Sequence, residues 1–449
     1  MEERLSARIL STAWPAVLEM ALYMLIGLAD VAFVGRMGAV HLAAVSLGAE
    51  VFFGIILTLT SLGIGATVLT AQYTGARKLK EINRLAAQVL VLSFSLGIIT
   101  AVAGWVFSPS IIAFFEVEDA VATIATQYLR ATFAAAPLAL CLYIGNGVFR
   151  GNGHTRVPMT IALFINIINI LASYTLVFGK FGFPQLGGLG AGIAASLAHV
   201  VGFMLMLAAM RSGRWGVRLE LRELLPVQGR VISRMFKIGF PTGLEELFRN
   251  ASTIASSLIL VHLGTQAFAS HQIAIAVESL SFMPGFGMAI AATAVVGQAL
   301  GARKPEVARR AAIMSFQFAV VIMGLAALAF YLAPGFLAGL FTHDKSLVAT
   351  AGILIQIAAL EQIPIAAEMV FAGALRGTGD TRTPMLVAFI GTWFFRIPLL
   401  WVMVKILHLQ LYQIWFLFVA DWCLRAIALL IIILRVKWAD IEPVNHQSW

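Results

Sequence analysis

Charge is scarce in this chain. Of its 449 residues 12% are charged and 60% are hydrophobic, with a mean hydropathy of +0.91, against about 25% charged in a soluble domain. A water-soluble globular protein is excluded on that ground. Cysteine is nearly absent: Cys141 and Cys423 both lie inside apolar runs, which argues against a disulfide, a thiolate metal site and a thiol nucleophile. His199, His262 and His271 are too scattered for a metal centre. No His/Asp/Glu or Asp-rich constellation sits at a membrane face, so a membrane-embedded enzyme is disfavoured, and the polar connections are too short for a soluble catalytic domain. The first apolar run does not read as a removable leader either. It is long, lacks a small-residue cleavage site and leads into further runs, so it reads as a true membrane helix.

What is present is apolar sequence in membrane-length pieces. About 20 residues of helix cross a bilayer core, and twelve such spans fit at about 14–34, 44–72, 85–108, 131–149, 157–178, 188–211, 238–262, 268–298, 308–332, 350–375, 383–405 and 412–435. Threading them alternately through a membrane sorts the 31 Lys and Arg into 23 on one side and 5 on the other, with Arg249, Arg396 and Arg425 left inside spans. By the positive-inside rule both termini are expected in the cytoplasm. The net charge of +9 is then a topology signal and gives no reason to expect nucleic acid.

The chain repeats itself. RGNGHTRVPM at 150–159 returns as RGTGDTRTPM at 376–385, seven of ten positions identical, at an offset of 226 residues. The same offset carries Gly75-Ala76-Arg77-Lys78 onto Gly301-Ala302-Arg303-Lys304, Pro15 onto Pro241, Glu19 onto Glu245, Gln72 onto Gln298 and Gly38 onto Gly264. The expectation is an all-α integral membrane protein of twelve helices in two six-helix lobes, 1–225 and 226–449. Six is even, so the lobes share an orientation and are related by a pseudo-twofold axis along the membrane normal. An Arg-rich cytoplasmic connection at about 211–237 tethers them. The repeated RG-x-G-x-T-R-x-P-M segment reads as a tight turn, its arginines binding helix-end carbonyls or anionic lipid heads.

Charges inside spans cost about 2.5–3.5 kcal/mol each on insertion scales and mark candidate functional sites. The acidic ones are Glu19, Asp30, Glu245, Glu246, Glu278, Glu361, Glu368 and Asp421. Glu245/Arg249 and Asp421/Arg425 have the i,i+4 spacing of helical ion pairs. Arg396 has no acid on its own helix, and Glu278, Glu361 and Glu368 are the candidates to serve it. The first half has no base deep in any span. There Glu19 and Asp30, eleven residues apart, share a helix face with Tyr23. Asp30 without a cation on its helix face must take a proton or hold a metal cation. Asn166, Asn169 and Ser173 form one polar stripe in span 5 and are available to complete such a site, and Ser196 and His199 form another pair in span 6.

These residues carry a resemblance. Pro15 and Asp30 in span 1, the paired GAR segments, the paired RG-x-G-x-T-R-x-P-M turns, and the stretch from His271-Gln272-Ile273 through Glu278-Ser279-Leu280-Ser281-Phe282-Met283-Pro284-Gly285-Phe286-Gly287 make the chain similar to the multidrug and toxic compound extrusion (MATE) transporters, prokaryotic branch, over nearly its whole length. The resemblance implies a central cavity, export driven by inward flow of H+ or Na+, and Asp30 as the coupling carboxylate. It carries the family's span-5 Asn onto Asn169, whereas the Asp four residues on is Ser173 here and the span-6 Thr falls on Ala195, beside Ser196. Fewer charged oxygens favour protons over tightly bound sodium. Another branch's span-7 Glu falls on Arg249, so its C-lobe cation site is not clearly inherited, and Glu278 is the candidate replacement.

The expected protein is therefore a monomeric secondary active exporter in a prokaryotic plasma membrane, without cofactor, moving amphipathic or cationic drugs and toxins by alternating access. Its coupling ion is H+ in preference to Na+, handled by Asp30, Asn166, Asn169 and Ser173. Tyr23, Glu278, Glu361, Glu368 and Arg396 are candidates for the substrate cavity or a secondary polar site, and Pro15 for bending span 1. Membrane lipids are the surrounding partners. The alternative is a lipid-linked precursor flippase of the same broad superfamily, which usually lines its cavity with cations that spans 1–6 do not offer.

Overall fold

The computed structural model describes residues 2–443, and among these every regular element is helical. Twelve long helices run in chain order: α1 (Glu2–Gly35), α2 (Ala39–Thr60 continuing as Leu62–Gly75), α3 (Leu79–Ala113), α4 (Asp119–Ala134 continuing as Ala136–Gly151), α5 (Arg156–Phe178) and α6 (Gly187–Arg211), then α7 (Gly229–Leu260), α8 (Thr265–Gly301), α9 (Pro305–Leu332), α10 (Lys345–Thr378), α11 (Arg382–Lys405) and α12 (Leu411–Arg435). Helix is the form in which a lipid-embedded segment satisfies its own backbone polar groups. The expected spans all fall on these helices, but several helices start earlier, α1 by a dozen residues and α7 by nine. The extensions are polar, as in Glu3-Arg4 and Arg230, so a search by hydropathy stops short of them.

Ten of the helices are long and apolar enough to cross a membrane, and α4, bent by 56° at Ala135, supplies an eleventh. Helix α7 falls outside that test because Glu245, Glu246 and Arg249 lie within it. Large side chains such as Ile99, Val102, Leu328 and Leu332 face outward, as lipid contact requires. Helix α11 carries a π-helical turn over Ile390–Arg396, directly before Pro398.

The repeat is reproduced in backbone geometry. Arg77 and Arg303, non-glycine residues, both take the left-handed conformation (φ 58° and 56°), and Lys78 N–H and Lys304 N–H each donate to a helix-end carbonyl at 2.9 Å. Gly153 and Gly379 are left-handed as well, which explains a glycine at that place in both turns. Close helix approach repeats too. A Cβ on Gly147 (α4) would stand 2.7 Å from the Gly63 carbonyl oxygen of α2, and one on Gly373 (α10) 2.5 Å from that of Ala289 in α8, the position equivalent to Gly63. Small residues let these backbones touch.

The compact units do not break where the repeat breaks. One comprises the residues up to Val17 together with Leu244 onward, and the other spans Leu18–Gly243. Helices α1 and α7 therefore divide two residues beyond Pro15 and Pro241, each of which deletes a backbone hydrogen bond. The connection after α6 is also more than a tether. Asn152 Nδ2 donates to the Trp215 carbonyl at 2.8 Å, and the Arg218 N–H donates to Asn83 Oδ1 at 2.8 Å. Gln88 Nε2 donates to the Glu223 carbonyl while its Oε1 accepts from Gln228 N–H, both at 2.8 Å.

Candidate ion-coupling site

Asp30 lies five residues from the end of α1 and is 7% exposed. Asn169 Nδ2 and Ser173 Oγ, one turn apart on α5 and fully buried, both donate to its Oδ1, at 2.9 and 3.0 Å. Among the described residues no basic side chain acts on this carboxyl, so two neutral donors are its support. The Asn169 Oδ1 is buried without a partner. Asn166, expected in the same set, stands elsewhere: its Nδ2 donates to the Leu22 and Ala162 carbonyls, both at 2.9 Å, and ties α5 to α1 about two turns away. Tyr128 of α4 interacts electrostatically with Asp30 and was not foreseen. It is one aromatic in an apolar run, with no local sequence signal to separate it from packing.

Tyr23 belongs to a different group. Its hydroxyl accepts from Asn146 Nδ2 at 3.5 Å and its ring meets that of Tyr143 at 5.4 Å. Tyr143 in turn bonds His199 Nε2 at 3.0 Å, and His199 Nδ1 donates to the Ala195 carbonyl at 2.7 Å. Ser196 donates to the Ala131 carbonyl at 2.8 Å, so neither span-6 side chain reaches Asp30.

The remaining intramembrane acids are paired in ways spacing alone did not indicate. Glu19 is clamped by Arg150, through Nε to Oε2 at 3.2 Å and Nη2 to Oε1. Glu245 receives Arg376 Nη2 at 2.6 Å. These two pairs are equivalent under the 226-residue repeat, so the first arginine of each RG turn reaches a carboxylate on another helix instead of a helix-end carbonyl or a lipid head. The expected Glu245/Arg249 pair is corrected: Arg376 occupies Glu245, and Arg249 turns to Glu246. Asp421/Arg425 does form, at 3.1 Å, and Asp421 also takes Arg396, whose Nε donates at 2.8 Å. Glu278, Glu361 and Glu368 are thus not the ion-pair partners of Arg396. Glu368 lies 3.7 Å from Arg425, and Glu278 and Glu361 interact with each other. Gly391 makes room for this group, since a Cβ there would stand 2.7 Å from Arg425 Cγ and 2.9 Å from Asp421 Oδ1.

Duplicated six-helix units with a buried carboxyl held by two neutral donors define a multi-pass membrane protein. The MatE family model matches residues 15–175 and again 241–402, two matches that start 226 residues apart, and the chain belongs to that family, the multidrug and toxic compound extrusion transporters. It is 32% identical over 444 residues to a probable multidrug resistance protein NorM of Thermotoga maritima, covering 98% of this chain and 94% of that one. It is 29% identical to the multidrug resistance protein MdtK of Proteus mirabilis, over 87% of this chain and 86% of the relative. The Vibrio cholerae MATE transporter VcmN in its bent form has the same fold, with a TM-score of 0.87 at 20% identity over 96% of this chain and 97% of that one.

Proposed function

We propose that this transporter is a secondary active multidrug exporter that moves amphipathic, cationic small molecules out of a prokaryotic cell in exchange for inward-moving protons, by alternating access. The observation that carries the coupling assignment is the Asp30 carboxyl: 7% exposed, without a cation partner, and held by Asn169 and Ser173. A single buried carboxylate in lipid is costly and is relieved by one proton. Sodium would want a shell of several oxygens. Asn169 and Ser173 turn N–H and O–H toward Asp30 and so offer sodium no oxygen shell there, and it is burial of the carboxyl in lipid that supports a proton as its occupant. Protonation weakens the hold of Asn169 and Ser173 on α1, and Pro15 leaves that helix free to bend.

The names of the relatives support multidrug export, and the 23-to-5 division of Lys and Arg supports cytoplasmic termini and a plasma-membrane setting. One chain contains both lobes, so a monomer suffices. The half-buried Arg150, Arg376 and Arg396 and the buried Arg425 are each matched to carboxylates, which leaves little to hold a pyrophosphate and counts against a lipid-linked precursor flippase.

The test is efflux of a fluorescent cation from proteoliposomes under an imposed pH gradient or an imposed sodium gradient, with wild type and Asp30→Asn. Export driven by the pH gradient alone and lost in the variant is expected. Sodium-driven export, or full activity of Asp30→Asn at equal abundance, would overturn the assignment.

A further inference from the structure

Between α6 and α7 the chain sets an apolar loop tip among positive charges. Residues 211–237 contain seven Lys and Arg against two Glu. Arg222 is 80% exposed, in a surface pair with Glu220 at 2.5 Å, and Arg230, in the first turn of α7, is exposed as well. Between these arginines stand Leu225, Pro226 and Val227, all exposed, Leu225 at 71% and Val227 at 53%. Large apolar side chains turned outward from a polar loop are unfavourable in water and favourable against hydrocarbon.

The tip is held in place. Gln88, on α3 and fully buried, donates through Nε2 to the Glu223 carbonyl at 2.8 Å and the Pro226 carbonyl at 3.4 Å, and its Oε1 accepts from the Gln228 N–H at 2.8 Å. Arg84, one turn earlier on α3, meets Glu223 at 3.5 Å. These bonds set the depth of the tip. After Leu79 at its first position, α3 next turns large apolar side chains outward at Phe94, Ile98, Ile99 and Val102. Gln88 stands six residues before Phe94, about 9 Å of helix rise. A loop fixed at that height lies at the level of lipid headgroups, with its apolar side chains within reach of the hydrocarbon boundary. Topology alone does not call for so much charge here. At the corresponding place after α12, residues 436–443 carry one Lys against an Asp and a Glu.

We propose that the loop 222–230 is a docking surface for anionic phospholipid of the cytoplasmic leaflet. Arg222 and Arg230 take the headgroup phosphate, and Leu225 and Val227 enter among the acyl chains. A zwitterionic headgroup brings its own cation to the surface, whereas an anionic one leaves the arginines a net charge to bind, and each arginine near a membrane gives about a fivefold preference. The inference needs neither the assignment of Asp30 nor the direction of export, since the loop meets lipid on whichever side the basic end of the protein faces.

The test uses the full chain in phosphatidylcholine nanodiscs, with Cys141→Ser, Cys423→Ser and Gly229→Cys. A Cβ at Gly229 meets nothing within 4 Å, so a fluorescent label there sits beside the tip without disturbing it. Quenching is followed as spin-labelled phosphatidylglycerol or spin-labelled phosphatidylcholine is added at low ionic strength. Half-maximal quenching should come at a mole fraction about twentyfold lower for the anionic lipid, and raised salt should shrink the difference. Arg222→Gln/Arg230→Gln should bring the two lipids level, while Leu225→Ser/Val227→Ser should weaken quenching by both. Arg36→Gln, an exposed cation at the other end of α1, should change nothing. The side chains replaced are exposed and lie outside the Gln88 bonds, so each variant should elute as the wild type does. Equal half-points for the two lipids in the wild type, or a preference that survives in the arginine variant, would overturn the surface. Loss of the preference to inorganic phosphate at matched ionic strength would overturn it too, by making the site one for a free anion.

Discussion

The Glu19–Arg150 clamp offers the sharpest test of how this chain tolerates charge. Glu19 is fully buried, whereas the Arg150 side chain keeps 16% exposure at the end of α4. Two unit charges about 4 Å apart attract by about 4 kcal/mol at an effective dielectric of about 20, and breaking a buried pair by removing one partner costs about 3–5 kcal/mol. The loss should be unequal. Arg150→Gln strands a carboxylate that cannot reach water, and about 3–4 kcal/mol of stability should go. Glu19→Gln leaves a guanidinium whose stem can turn outward, and about 2 kcal/mol is expected. The double variant Glu19→Gln/Arg150→Gln should recover much of this, lying within about 1–2 kcal/mol of wild type, because neither charge is stranded.

The assay is reversible unfolding in mixed micelles for wild type, both single variants and the double, arranged as a double-mutant cycle. The repeat-equivalent pair is an internal comparison. Glu245 and Arg376 keep 14% and 17% exposure, so Arg376→Gln should cost less than Arg150→Gln. Refutation is simple to recognise: a coupling energy near zero, or Glu19→Gln more damaging than Arg150→Gln, would mean the pair is not the buried anchor its geometry indicates.

Two further outcomes follow from packing and protonation. Gly373→Val should cut folded abundance sharply, since even a Cβ there meets the Ala289 carbonyl of α8 at 2.5 Å and overpacking costs about 1–3 kcal/mol or more; Gly324→Ala, facing only the Ile363 side chain at 3.8 Å, is the mild control, and normal abundance of Gly373→Val would contradict the close approach. His154, in the turn between α4 and α5, packs against Trp215 at 5.8 Å, and this partial desolvation holds its imidazole below the ordinary histidine value. A depressed folded value means the docking energy is complete above about pH 6.5 and declines as the pH falls further, so amide protection in 213–219, corrected for the intrinsic pH dependence of exchange, should fall on acidification in wild type and stay constant in His154→Phe.

How much of this was legible beforehand depended on whether the deciding contact is local. Twelve helices could be placed from hydropathy because lipid imposes one solution on every apolar run, and the repeat was visible because its glycines serve left-handed turns and close approaches that recur in both halves. Asp30 with Asn169 and Ser173 was readable from periodicity joined to a family resemblance, since Asn169 and Ser173 lie one turn apart on a single helix. Tyr128 was not, because nothing in its own neighbourhood distinguishes it. The ion pairs divide the same way. Asp421/Arg425 is an i,i+4 pair and was found, whereas Glu245 had an equally good local partner in Arg249 and is instead held by Arg376, 131 residues away. Yet the repeat contained that answer. Glu19 and Glu245 share the offset, and so do Arg150 and Arg376, but the first-half counterpart of Arg249 is Tyr23, which carries no charge to offer Glu19. Only the Glu–Arg combination common to both halves could be a contact common to both. A charge that returns with the repeat should be sought against another charge that returns with it, before any neighbour on its own helix.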